Sequence, residues 1–316
     1  MFLVRGMVVC FSAFALVYIS FSILVVCGWA TLERVSRRFS ARVAADALFT
    51  LRIFPMPAGL LVSLILVLPS FALLESTAII EPIGAIPLVL GVAGMAFVAI
   101  GFSKVVVAQV RTSRLLEGWL IEATFSQMSG GDVLLARVPG LAPGISVARV
   151  REPLILISEI AAKVLSEPEL HAALRHELVH IRRWDNLKKL SFQACGFPGM
   201  RGLEQAWLCA AEMAADQAAV CSSNEALDLA SALVKLSRFG AHVSPADIAL
   251  ALASTDAVSL NSRVDHLVVW QKDIPRTRGF LINALILVSG TTLCLGATYG
   301  SLLVRLHAAT EWLIRR

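Results

Sequence analysis

The sequence predicts a mainly α-helical membrane protein with four transmembrane helices and one α+β domain between the third and the fourth. Three features lead to this prediction: a low content of charge, four long apolar stretches, and one extended polar block. Of the 316 residues, 57% are hydrophobic and only 16% are charged, whereas roughly a quarter of the residues of a soluble domain are charged. The shortage of charge indicates that much of the chain lies in lipid.

Four apolar stretches are long enough to cross a hydrocarbon core, which needs about 20 residues. The first exceeds the apolar run of a signal peptide and no small-residue cleavage site follows it, so we expect it to be retained. The chain then divides into residues 1–110 with three spans, a block over 111–278, and residues 279–316 with the fourth span and a short tail. The predicted spans are about 7–30, 58–74, 83–110 and 280–303.

Basic residues set the expected orientation, because cytoplasmic loops are rich in arginine and lysine. Five arginines follow the first span, none lies between the second and third, and basic residues flank the block 111–278. We therefore expect a multi-pass protein of the bacterial inner (plasma) membrane, with this block in the cytoplasm and both termini outside. The formal charge of +5 belongs to these flanks, so no direct nucleic-acid binding is expected.

The polar block begins with a β-like region and continues as helices. Apolar runs at about 132–136, 145–150 and 154–157, separated by proline and glycine, predict a small sheet of two or three strands. Ser166 and Glu169 have the spacing of a capping box, with Pro168 in the first turn. They predict a helix from Ser166 to about Trp184, and further helices are predicted over 203–220 and 225–239.

The first of these helices carries His176-Glu177-Leu178-Val179-His180. Residues four apart share one helix face, so His176 and His180 can bind one Zn²⁺ ion, with Glu177 beside it to accept a proton from water. The motif arises by chance in on the order of one chain in a hundred of this length. Its place behind a capping box, in the large polar block, favours a metal site over two surface histidines.

Zinc needs a third protein ligand, and the helix predicted over 203–220 offers two acids. Glu212 and Asp216 are also four apart, on a helix otherwise rich in alanine. Burying them without a partner is costly, so we predict Glu212 as the ligand and Asp216 as the residue that orients a histidine. The alternative is that both acids face water. Cys209 lies one turn earlier and could compete as a ligand, but a packed thiol is preferred.

Arg183 and Asp185 extend the motif helix and have two interpretations. They form a solvated face with local ion pairs, or they form an ion pair that braces the site; the sequence leaves both open. The other histidines lack partners at ligand spacing. The six cysteines are scattered without a CxxC pair, which argues against a disulfide framework and against a zinc ribbon.

Taken together, these motifs resemble the BlaR/MecR-type membrane zinc metallopeptidases. That family has a strand like the one at 153–158, an H-E-L-x-H-I-x-R-x-D motif like the one at 176–185, and an acidic E-x-x-x-D helix like the one at 212–216; the likeness covers about residues 145–225. The resemblance implies a gluzincin-like site within a zincin-like domain, with His176, His180 and Glu212 as Zn²⁺ ligands and Glu177 as general base. It also implies regulated proteolysis of a winged-helix repressor or of the protein itself.

The β-lactam sensors of that family carry a penicillin-binding domain after the fourth span, and only about a dozen residues follow here, so antibiotic sensing is not expected. The expected function is thus a zinc metalloendopeptidase in regulated proteolysis and signal transduction. Two alternatives stay open: a membrane quality-control protease of the Ste24/HtpX type, and a non-catalytic signalling scaffold. The expected partners are the lipid bilayer and a protein substrate, with a homo-oligomer left open.

Overall fold

A computed structural model describes residues 2–36, 39–75, 83–127, 133–139, 144–240 and 257–270, with single positions between 301 and 309. Within these ranges the chain is mostly helical, with one small mixed sheet. The mainly α-helical character predicted from the sequence is therefore confirmed. The predicted fourth span lies almost wholly outside the described residues.

Three helical segments are long and apolar enough to cross a membrane, at Phe2–Thr31, Pro55–Leu74 and Ala85–Leu120, in agreement with the first three predicted spans. The first belongs to α1 (Phe2–Ser36). A shorter helix, α2 (Ala41–Ile53), follows it. The second span consists of α3 (Pro55–Leu61), a π-helical turn (Val62–Val67) and α4 (Leu68–Leu74), and the third is α5 (Ala85–Leu120).

The sheet has four strands in the order β1-β2-β4-β3. β2 and β4 are parallel, and the other two pairs are antiparallel. Every residue of β4 is buried, which fits its central place, whereas β1 is exposed along its length. The prediction of two or three strands missed β1, which has no apolar alternation. The strands are β1 (Thr124–Gln127), β2 (Leu134–Val138), β3 (Ile145–Ala148) and β4 (Leu154–Ser158).

Six described helices follow the sheet, and three of them were predicted. The helix that carries the histidines ends at Arg182, because Trp184 adopts a left-handed conformation with φ of 57° and turns the chain into the next helix. The helices that the sequence did not predict are α6, α8 and α11. The six are α6 (Glu159–Val164), α7 (Glu167–Arg182), α8 (Asp185–Ala194), α9 (Arg201–Ala219), α10 (Ser223–Gly240) and α11 (Ala257–Val268).

The capping box predicted at the start of α7 is present, and it also joins two helices. The backbone N–H of Ser166 donates to Glu169 Oε2 over 2.8 Å. The same carboxylate accepts hydrogen bonds from Ser231 (2.6 Å) and Lys235 (2.7 Å) of α10. Burial alone would raise the pKa of Glu169, but these hydrogen bonds outweigh it and lower the pKa to about 2.

The segment between the first two spans is a packed helix rather than a loop. The buried side of α2 lies against α9, with Ala45 and Leu48 in one core that also contains Val25 of α1 and Trp207 of α9. Arg52 of α2 is almost fully buried and donates to Glu204 Oε1 (2.6 Å) and to the carbonyl oxygen of Cys195 (2.8 Å). The helices α8 and α9 therefore share a core with the first span.

The third span approaches the same region at a glycine. A Cβ atom built on Gly101 of α5 would overlap the backbone carbonyl of Ala194 at the end of α8, whereas one built on Gly118 of the same helix would meet no atom within 4 Å. The close approach of α5 to α8 therefore depends on the absence of a side chain at Gly101.

We expect Gly101→Ala to lower the free energy of unfolding by about 1–3 kcal/mol, because the added methyl group meets backbone that cannot turn away. Thermal unfolding of the purified protein in detergent measures the change. Gly118→Ala is the matched control, and it should leave stability unchanged or raise it slightly, since alanine favours a helix. Equal behaviour of the two variants would contradict the described packing of α5 on α8.

Glu169 gives a prediction about pH. Because its folded-state pKa is lowered to about 2, its contribution to stability is present above the unfolded-state pKa of about 4.3 and is lost as pH falls toward 2. We expect Glu169→Gln to destabilise the protein by on the order of 2–3 kcal/mol at pH 7, and by about half as much at pH 3. Chemical unfolding of both proteins at the two pH values measures this difference; an equal difference at both would show that the carboxylate charge contributes nothing.

Candidate metal centre

The helices α7 and α9 bring two histidines and one glutamate together. His176 Nε2 lies 3.0 Å from His180 Nε2. Glu212 Oε2 lies 3.5 Å from His176 Nε2, and Glu212 Oε1 lies 3.5 Å from His180 Nε2. Among the described residues, these three form the group of side chains whose donor atoms are close enough together to hold one metal ion.

These separations can be compared with the geometry of a zinc site. With bonds of 2.0–2.1 Å and tetrahedral angles, two ligand atoms lie about 3.3 Å apart. The three observed separations, 3.0, 3.5 and 3.5 Å, lie on either side of this value. Two imidazole nitrogens and one carboxylate are also a donor set of catalytic zinc sites, which keep a fourth position open. The residues therefore fit Zn²⁺.

The pKa shifts of His176 and Glu212 favour a positive charge between the two side chains. Burial alone would lower the pKa of His176, but Asp216 and Glu212 outweigh it and raise the pKa to about 10. Burial likewise opposes ionisation of Glu212, yet the charge of His180 and the hydrogen bond to His176 hold its pKa well below the usual range. Either protons or a metal cation can supply this charge, and a bound metal displaces the protons.

Each histidine turns its other nitrogen toward a carboxylate. His180 Nδ1 lies 2.7 Å from Asp185 Oδ2, and His176 Nδ1 lies 2.9 Å from Asp216 Oδ1, the latter without the angle of a good hydrogen bond. Carboxylates in this position fix the orientation of a histidine that binds metal. Asp216 thus lies next to His176, as the sequence predicted for a residue that orients a histidine. Asp185, at the start of α8, lies next to His180 in the same way.

The alternative interpretation required that the two acids of α9 face water, and they do not. The side chain of Glu212 is 18% exposed and that of Asp216 is 3% exposed. Cys209, the competing candidate, is exposed and lies outside the group of three donors. Of the two proposed arrangements for α9, the structure therefore has the one in which both acids turn toward the histidines.

Arg183 lies at the outer side of this arrangement. Its Nε is 3.7 Å from Asp185 Oδ1, and its Nη2 is 3.3 Å from Asp46 Oδ1 of α2. Lys188 Nζ approaches the same two aspartates, at 3.4 and 3.5 Å. Arg183 and Asp185 are therefore neighbours, as the bracing interpretation requires, and α2 takes part in the charge network behind His180.

Arg263 of α11 is the residue that the sequence reasoning missed. Its Nε and Nη2 donate to the two oxygens of Asp216 at 2.7 and 2.8 Å, and its Nη1 lies 2.9 Å from Glu212 Oε2. A signal was available, because Arg263 lies on the same helix face as Leu267, four residues further on, which is buried in the core. An arginine on an apolar face needs a buried acidic partner.

Glu177 borders a cavity of about 420 Å³ next to the three donor groups. Burial raises the pKa of its carboxyl group. Residues 145–150, from β3 onward, form one wall of the cavity, and leucines of α10 form another. The end of α5, with Ala108 and Thr112, also lines it. The three donor groups therefore border a space large enough for part of a peptide, beside the helix of the third span.

We expect Arg263→Met to lower the free energy of unfolding by about 3–5 kcal/mol, because it removes the buried guanidinium that pairs with the carboxylates of both Asp216 and Glu212. Arg182→Met, at an exposed position of α7, should change stability by less than about 0.5 kcal/mol. Chemical unfolding of metal-free protein in detergent compares the two. A small effect of both substitutions would mean that Arg263 does not pair with Asp216.

A comparison with protein-family models, with curated proteins and with solved structures finds no match to this chain. The motif residues themselves and the geometry of the groups that they bring together are therefore what indicates the function of the protein.

Proposed function

We propose that the protein is a membrane-embedded zinc metalloendopeptidase. The observation that carries the proposal is the triangle of His176, His180 and Glu212, with separations that suit Zn²⁺, together with Glu177 in the adjoining cavity. A structural zinc site is closed by four protein ligands, whereas a hydrolytic site has three and borders an open space. Three donors at the edge of a cavity correspond to the second kind.

The residues of the chain have distinct roles in this proposal. His176, His180 and Glu212 hold the metal, and Asp216 and Asp185 keep the two imidazole rings oriented. When bound, Zn²⁺ supplies Lewis acidity, which polarises a carbonyl group and makes water more acidic. Glu177 accepts the proton of the attacking water and passes it to the leaving amine.

The cavity also suits an extended peptide. Since β3 is an edge strand of the sheet, a substrate strand that lay beside it would gain main-chain hydrogen bonds. The leucines of α10 that line the cavity offer an apolar surface to a substrate side chain. We infer that the substrate binds along β3 with the scissile bond near Glu177.

Regulated cleavage of a repressor, or of the protein itself, is the biological role that we propose first, on the basis of the motif resemblance. A general quality-control protease is the second candidate. The observation that favours it is the part played by α5 in the cavity wall, since a site beside a membrane-length helix is well placed for membrane proteins as substrates.

The central prediction concerns Glu177. We expect Glu177→Gln to keep the metal and to reduce cleavage by about 10²–10⁴-fold, because only the proton acceptor is lost. Mass spectrometry of new protein termini, in cells that express the wild type or the variant, measures cleavage. Glu167→Gln is the matched control, because Glu167 is an exposed acid in the first turn of the same helix.

Zinc content of the purified proteins completes this test. Glu177→Gln and His171→Ala, an exposed histidine of α7, should keep one bound zinc ion, whereas His176→Ala should lose it. Few wild-type-specific termini would indicate regulated cleavage, and many would indicate quality control. Undiminished cleavage by Glu177→Gln would show that Glu177 is not the proton acceptor. A wild-type protein that binds zinc but produces no cleavage would favour the non-catalytic signalling scaffold.

A further inference from the structure

The backbone of β3 presents every second residue to the open edge of the sheet. Gly144, just before β3, accepts a hydrogen bond at its carbonyl from the backbone N–H of Ser158, the last residue of β4 (3.0 Å). Because backbone groups alternate in direction along a strand, residues 144, 146 and 148 turn theirs toward β4. Ile145 and Val147 therefore turn theirs outward, to the edge that a substrate strand would use.

A side chain occupies part of this edge. Asn186 of α8 donates from Nδ2 to the carbonyl oxygen of Val147 (3.0 Å) and to that of Arg149 (3.3 Å). These are two successive outward carbonyls, which the N–H groups of a paired strand would otherwise contact. The carboxamide of Asn186 thus stands in the place of a neighbouring strand at this end of β3.

Two unusual backbone conformations produce the contact. Arg149 has φ of 65° and Trp184 has φ of 57°, and such values are uncommon for residues other than glycine. The first bends the chain away directly after β3. The second turns α7 into α8 two residues before Asn186, and so brings the carboxamide to the strand. The strand end and the helix start are therefore both shaped around this contact.

Asn186 also lies between two cavities. The cavity of about 420 Å³ at the metal centre and a second one of about 270 Å³ share a wall that includes Val147, Arg149 and Asn186. The second cavity continues along the chain after β3 and is bounded by Pro153 and Trp184. The outward edge at Val147 and Arg149 thus runs from the first cavity into the second. The carboxamide of Asn186 lies on this edge, between the two cavities.

We propose that Asn186 is a specificity-determining residue that limits how far a substrate strand extends along β3. This inference rests on the proposed peptidase function. With the carboxamide in place, a peptide pairs only at Ile145 and at the N–H of Val147, beside the metal centre. When the carboxamide turns aside, the carbonyl groups of Val147 and Arg149 become available and a longer peptide reaches the second cavity.

The test measures peptide binding to the full-length Glu177→Gln protein in lipid nanodiscs, so that no probe is cleaved. The probes are two fluorescein-labelled peptides of leucine, alanine and lysine, with about four and about ten residues, or roughly 13 and 33 Å when extended. In this background, Asn186→Ala should tighten binding of the long peptide by about tenfold, because two competing hydrogen bonds are removed, and should leave the short one unchanged.

Two further variants control this experiment. Asn186→Asp keeps the size of the side chain but cannot donate to the two carbonyl groups, so it should behave like Asn186→Ala. Gln193→Ala removes a carboxamide of the same helix that lines the first cavity only, and should leave the ratio of the two affinities unchanged. Hydrogen exchange over residues 145–150 should slow when the long peptide binds to either Asn186 variant.

An unchanged ratio in both Asn186 variants, or no binding of either peptide to any variant, would overturn the proposal. These results are distinct from a failure of the peptidase function, which is measured by the termini that depend on Glu177. Length-dependent binding without such termini would keep Asn186 as the limit of a peptide-binding edge. Cleavage without length dependence would keep the peptidase and remove Asn186 from this role.

Discussion

The carboxylates of Glu212, Asp216 and Asp185 meet two histidines between α7, α8 and α9, and each needs a positive partner inside the protein. Glu212 and Asp216 lie on a helix whose other residues are mostly apolar, and an unpaired buried charge costs several kcal/mol. The histidines, Arg263 and the residues behind Asp185 supply these partners. Much of the helix arrangement around the cavity follows from this requirement, because the partners come from α7, α8 and α11.

The side of α9 opposite to these two acids packs against the first span and α2. Trp207 of α9 is fully buried against Val25 of α1 and Leu48 of α2, while Glu212 and Asp216, further along, face α7. Apolar packing therefore holds α9 to the first span at one end, and charge pairing holds it to the metal helix at the other. A shift of α9 would disturb both sets of contacts, so the geometry of the three donor groups depends on how α9 packs against the spans.

The parts of the site that could be predicted from the sequence were those with a local signature. His176 and His180 share a face because helix geometry alone requires it, and the capping box of Ser166 and Glu169 marks where that helix begins. Arg263 and Asp46 could not be placed in the same way, because their partners lie 47 residues or more away along the chain and depend on tertiary packing. The strand β1 lacked a periodic apolar pattern. Helix α8 does carry apolar residues at helical spacing, at Leu187, Leu190 and Ala194, but it is short, and the turn into it depends on the left-handed backbone of Trp184.

The length of α5 connects the cavity to the membrane. Its 36 residues extend about 54 Å at 1.5 Å per residue, whereas a hydrocarbon core is about 30 Å thick. About 20 residues suffice to cross that core, and counting from Ala85 places Lys104 at its far boundary, where an amine can reach water. Ala108 lies only one helical turn further on and already lines the cavity. A helix that crosses a bilayer from Ala85 would place the three donor groups within a turn or two of the membrane surface. Under the proposed peptidase function, such a position would favour substrates that are themselves bound to the membrane or held beside it.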